Sequence, residues 1–216
     1  VDGAQVAGLV DGDALHDPLD RHLELLAGLG VRHPAHLDDL VRHVPRRGLL
    51  PDRGAQPGGQ LLVELSVVGE DDEVGAVVVT GAGRAFCAGM DLSRSGNVFG
   101  LDERLTPDLT DMHERLEDPA IRDGVRDTGG RVTLAIFNCK KPVLAAINGA
   151  AVGIGATMTL AMDIRMASEK ARIGFVFGKL GIVPEACSSW FLPRLVGLPT
   201  ALQWTIGAKM VPVAEA

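Results

Sequence analysis

The chain has no tyrosine, few aromatic residues of any kind (4%) and only three cysteines in 216 positions. Cys87, Cys139 and Cys187 are too few and too scattered for a disulfide framework or a thiolate zinc site, so reduced thiols in a protein interior are expected. Basic residues are outnumbered, 21 against 28, and the net charge of −7 excludes a general nucleic-acid surface, which needs clustered Lys and Arg. Long uninterrupted apolar runs are missing too. The best candidate, Pro142 to Met162, is broken by Asn148 and several glycines, and the N-terminus lacks a basic segment followed by an apolar one. A soluble, cytoplasmic protein with neither a nucleic-acid nor a membrane partner is expected. At 46% hydrophobic residues it has enough apolar material for one sizeable core.

The first 65 residues are poorer still. They use ten amino-acid types, with no aromatic residue, no Ile and no Met, and Ser66 is the first departure. All ten types have codons that begin with G or C, and a run of this length arises by chance with a probability on the order of 10⁻¹⁴. A frameshift in a GC-rich gene is the expected cause, and residues 1–65 are expected to fold poorly. The helical spacing of Leu19, Leu23, Leu26 and Leu29 leaves room for one local helix. His16, His22, His33, His36 and His43 stand in no recognised zinc spacing, so no metal site is expected.

From Glu70 the text changes. The β-branched run over 75–80 predicts a strand buried on both faces, hence a parallel sheet. Residues 86–92 leave its end, where open α/β sheets bind ligands. The polar stretch 93–107 predicts a surface loop, followed by helices over 108–117 and 130–139. A strand at 143–147, a glycine-rich bend at 148–155, a helix from 156 to 162 and short strands at 164–167 and 172–175 come next. Pro184 to Val196 predicts a helix with proline in its first turn.

Three motifs stand out: VVVTGAGRAFCAGMDL at 77–92, KPVLAAINGAAVGIGATMTLAMDIRMAS at 141–168 and GIVPEACSSWFLPRLVG at 181–197. A dinucleotide-binding reading of the first fails, because Phe86 stands where the third glycine belongs. In order and spacing the three resemble the crotonase superfamily of enoyl-CoA hydratases and isomerases, over about 120 residues. That resemblance implies an α/β fold, a spiral of ββα units incomplete at both ends of this chain. Residues 66–216 would form the core without the C-terminal helical region. It also implies an acyl-coenzyme A thioester as substrate, with coenzyme A part of that substrate and no separate cofactor. Family-like homotrimers or hexamers are implied, weakened by the missing C-terminal region.

Abstraction of a proton beside a thioester carbonyl builds negative charge on its oxygen, which two aimed backbone N–H groups stabilise by about 3 kcal/mol each. The resemblance assigns these donors to Met90 and Ile154. It matches Ala88 and Asp91 to positions around the adenine and pantetheine of coenzyme A, although a local turn role suits Asp91 equally. Hydratases of the family use two glutamates, whose places are taken here by Thr157 and Phe177. An acid stands instead at Glu185, where peroxisomal-type 3-enoyl-CoA isomerases carry their catalytic glutamate. Flanking by Phe177 and Trp190 is expected to raise its pKa, as suits a proton shuttle in fatty-acid metabolism. The alternatives left open are hydratase-like or other thioester chemistry, an inactive acyl-CoA-binding remnant, and, for Glu185, a merely favourable place in a helix's first turn.

Overall fold

The computed structural model describes residues 4–11 by their backbone, and residues 65, 67–72, 74–81, 83–92 and 97–216. The predicted Leu19 to Leu29 helix and the five N-terminal histidines lie outside the described residues.

Among the described residues, eight strands make two four-stranded sheets, and from β2 to β7 the chain alternates between them. The first sheet has the order β1 (Ala4–Asp11), β2 (Val74–Gly81), β4 (Val143–Ile147), β6 (Ile164–Ala167). The second runs β3 (Ala85–Cys87), β5 (Ala150–Val152), β7 (Arg172–Gly174), β8 (Met210–Pro212). β2, β4 and β6 are mutually parallel, as are β3, β5 and β7. The antiparallel pairs are β1 with β2 and β7 with β8. Each parallel strand of the first sheet thus hands the chain directly to one of the second. Helices carry it back to the first sheet after β3 and β5, in keeping with the expected ββα units, while those after β7 lead to β8 of the second sheet.

Apolar content explains the order. Val77, Val78 and Val79 and all of β4 are fully buried, as continuous β-branched and small apolar runs require in a parallel sheet covered on both faces. Between β3 and β4 lie three helices, α1 (Leu109–Glu114), α2 (Pro119–Val125) and α3 (Thr128–Phe137). Each starts at an aspartate, Asp108, Asp118 and Asp127, whose side chain accepts from a backbone N–H of the first turn. Val132 and Ile136 of α3 are buried with Phe86, Met158 and Met162 in the larger core cluster. A single turn, α4 (Ile154–Thr157), runs into a 3₁₀ turn at Met158–Ala161. The second cluster gathers Phe175, Leu192 and Trp204 from β7's end, α6 (Ser188–Val196) and α7 (Leu198–Gly207), with Phe175 and Trp204 stacked 6.0 Å apart. α5 (Phe177–Leu180) lies between β7 and α6.

Two expectations change. The helix expected from Pro184 begins four residues later, at Ser188, because Ala186 and Cys187 adopt left-handed backbone conformations, with φ of 52° and 59°. The helix expected from 156 to 162 is one α-turn followed by a 3₁₀ turn, so it carries little macrodipole toward the preceding bend.

Candidate active site

Asn148 holds the two glycine-rich segments together. Its Nδ2 donates to the carbonyls of Gly81 (3.1 Å) and Gly83 (2.8 Å), and its Oδ1 accepts from the Gly81 N–H (3.1 Å). The turn after β2 is thereby tied to the turn after β4, and the strands that follow, β3 and β5, pair in parallel. Farther along, a β-carbon at Gly155 would collide with the Cys87 carbonyl, so only glycine permits α4 to start against the end of β3. The bend itself uses positive φ at Gly153 (56°), which leaves the β-branched Ile154 in ordinary helical geometry. No described residue accepts a hydrogen bond from the Met90 or Ile154 N–H. Met90 and Asp91 are half-buried and Ala88 is exposed, on the segment leaving β3.

Glu185 reaches the same region from the loop between α5 and α6. A β-carbon built at Gly129, in the first turn of α3, would fall 2.9 Å from Ile154 Cδ1, 3.1 Å from Glu185 Oε2 and 3.2 Å from Ala186 Cβ. The Glu185 carboxyl and the Ile154 side chain therefore both border the space left by the missing side chain at Gly129. Burial pushes the Glu185 pKa up to about 8, and a hydrogen bond and like-charge contact with Asp127 add to the rise. The sequence predicts the rise and its leading cause, removal from water, but not the contribution of a second carboxyl group. Phe177 is buried in the second core cluster, and Trp190 is 57% exposed with the Arg194 guanidinium 3.3 Å above its ring. The partner that acts on the acid is Asp127. The Cys187 thiol, in the same neighbourhood, is also pushed up, by burial first and then by Asp127.

A profile of the enoyl-CoA hydratase/isomerase family matches residues 60–216. The chain belongs to the enoyl-CoA hydratase/isomerase family. Among the relatives, an enoyl-CoA hydratase from Alternaria alternata is 46% identical over 145 residues, which is 67% of this chain and 43% of that protein. A 1,2-epoxyphenylacetyl-CoA isomerase from Escherichia coli strain K12 is 37% identical over 144 residues, 66% of this chain and 49% of the relative. A solved enoyl-CoA hydratase from Bacillus anthracis superposes with a TM-score of 0.57 at 30% identity, covering 74% of this chain and 55% of that one. The chain thus spans about half the length of the relatives it matches. The fold is that of this family, with the ββα repeats described above.

Thr157 and Phe177, which the sequence resemblance sets in the places of a hydratase's two glutamates, are both buried. Thr157 is fully buried, its hydroxyl turned to the Ile154 carbonyl at 3.4 Å, and Phe177 is core. The acid that sequence reasoning missed is Asp127. Its signal was an aspartate just before a Thr-Gly-Gly run, an N-cap signature that would have started α3 at Thr128 rather than at 130. Asn148 was read only as part of a bend. Asp163 accepts from the Val143 N–H at 2.8 Å and Arg165 donates to the Thr159 and Met162 carbonyls, so both secure the turn before β6. Among the described residues, no three His, Cys, Asp or Glu side chains cluster as metal ligands, and no helix is long and apolar enough to cross a membrane.

Proposed function

We propose that the chain carries the isomerase chemistry of its family, moving the double bond of a 3-enoyl-CoA to the 2-position. In this reading Glu185, as its carboxylate, takes a proton from C2 of the substrate. The electron pair flows toward the thioester carbonyl, giving a dienolate whose oxygen accepts hydrogen bonds from the Met90 and Ile154 N–H groups. Glu185 then returns the proton to C4, and the product leaves with its double bond conjugated to the thioester. Ala88 and Asp91 would face the coenzyme A portion. Phe177 and Trp190 complete the substrate-binding set expected from sequence.

The observation that carries the reading is the convergence at Gly129, whose open side is bordered both by the Glu185 carboxyl and by the side chain of Ile154, a proposed oxyanion donor. A base whose proton affinity is raised by burial is better matched to a weakly acidic C–H than an ordinary carboxylate. Glu185 also lies outside α6, so a stabilising place in a helix's first turn does not account for it.

A second reading, hydration of a 2-enoyl-CoA, has support of its own. Relatives are named enoyl-CoA hydratases, and Asp127 supplies a second carboxyl group beside Glu185. The two reactions change the absorbance of the conjugated enoyl thioester in opposite senses. With a 3-enoyl-CoA substrate that absorbance is expected to grow, and Glu185→Gln is expected to slow its growth by about 10²–10⁴-fold. Steady loss of absorbance from a 2-enoyl-CoA, with no gain from the 3-enoyl isomer, would establish the second reading instead.

A further inference from the structure

The contact between two acids on separate elements is unusual, because a carboxylate beside a carboxylate raises the energy of both. Asp127 belongs to the start of α3 and Glu185 to the loop before α6, and nothing in the chain's local order brings them together. Asp127 is committed at one end, since its Oδ1 accepts from the Gly130 N–H as the N-cap of α3. The Glu185 carboxyl lies over the same turn, against Gly129. We propose that Asp127 and Glu185 act as one unit, two carboxyl groups sharing a proton across the first turn of α3, with Asp127 the positioning residue for the base. This rests on the isomerase reading for its purpose, though not for its geometry.

The two acids sit in different surroundings. Asp127 is tied to the Gly130 N–H at the start of α3, whereas burial and the neighbouring carboxyl group favour the protonated form of Glu185. Other charged or titratable groups nearby are Arg126, whose charge opposes the effect and whose Nη2 lies 4.0 Å from Glu117, and the Cys187 thiol. When the unit loses its last proton, at about 8, Glu185 becomes the free anion that abstracts a proton from carbon. Two acids then do what one solvated glutamate would not: the hydrogen bond of the protonated pair sets the position of the carboxyl group, and once the proton is gone the like charge beside it leaves a stronger base than usual. A glycine at 129 fits this design, because any side chain there would push the Glu185 carboxyl away from its partner.

The test separates charge from capping. Asparagine caps a helix about as well as aspartate, so Asp127→Asn keeps α3 while removing the charge, and Asp127→Ser is a second capping variant without it. The ionisation of Glu185 is followed by carbon-13 NMR of carboxyl-labelled glutamate in the full chain, with its signal assigned by its disappearance in Glu185→Gln. In the unsubstituted protein Glu185 is expected to titrate near 8, and in either Asp127 variant at least about one pH unit lower. The rising limb of the isomerisation pH profile is expected to move down with it, with little change in KM. An ordinary glutamate titration in the unsubstituted protein, or an unmoved one in a folded Asp127 variant, overturns the proposal. Because the titration needs no turnover, a shared proton in a protein that fails to isomerise would count against the proposed activity and leave the pair standing. Isomerisation with an unmoved titration would do the reverse.

Discussion

Glu185 is held where a carboxylate is costly. Its pKa in the folded chain, about 8, lies above its ordinary value of 4.5, so between these values the native state holds a proton that the unfolded chain has released. Stability from this group is therefore complete below about pH 4.5 and lost as pH rises through 8. At a half-buried site screened by water the loss is on the order of 1–2 kcal/mol. Glu185→Gln, which cannot ionise, is expected to raise the melting temperature at pH 8.5 and to change it little at pH 4.5. A melting difference independent of pH would show that the carboxyl is well solvated. The two residues after it add strain of their own. Ala186 and Cys187 both occupy the left-handed region, which L-residues enter at about 1–2 kcal/mol apiece, and the chain tolerates this next to the proposed base.

At the scale of elements, the site depends on turns rather than on strands. β2, β4 and β6 bring the glycine-rich turns to one end of the first sheet, but Asn148 secures two of them to each other through three hydrogen bonds. Asn148→Ala leaves backbone groups of Gly81 and Gly83 without these partners and is expected to cost about 1–3 kcal/mol. It should also loosen the approach of the Met90 and Ile154 segments, so that kcat falls while Glu185 keeps its raised titration. Chemical denaturation together with the enoyl thioester assay checks both, and unchanged stability would mean that water replaces the amide without penalty. Helix α3 has a double role. Its apolar face, Val132 and Ile136, is core, while its first turn carries Asp127 and the Gly129 gap.

For the whole molecule, the two sheets and their returning helices form a scaffold in which segments distant in sequence converge on one region. A formed acyl-CoA site makes the native state bind what the unfolded chain does not. At a hundredfold excess over Kd this linkage is worth about 2.7 kcal/mol. For a chain of this size the expected rise in melting temperature is on the order of 5–10 °C. A thermal melt with and without a non-hydrolysable acyl-CoA measures it, and an unmoved transition at saturating ligand would mean that no such site forms in this chain. The parallel strands at 143–147 and 164–167 were legible to the residue, the first because a continuous apolar run after Pro142 admits few alternatives, the second as a short stretch set off by Asp163 and Ser168. The three motifs were legible as well, and the family resemblance they carry is what singles out Glu185 and the candidate donors of the proposed function. Asp127 as partner to Glu185 was not legible, nor was the delayed start of α6. The physical reason is range. Spacing along the chain encodes period, caps and turns, which act over a few residues, whereas burial and the field of one carboxyl on another depend on which distant segments the packed core brings within contact.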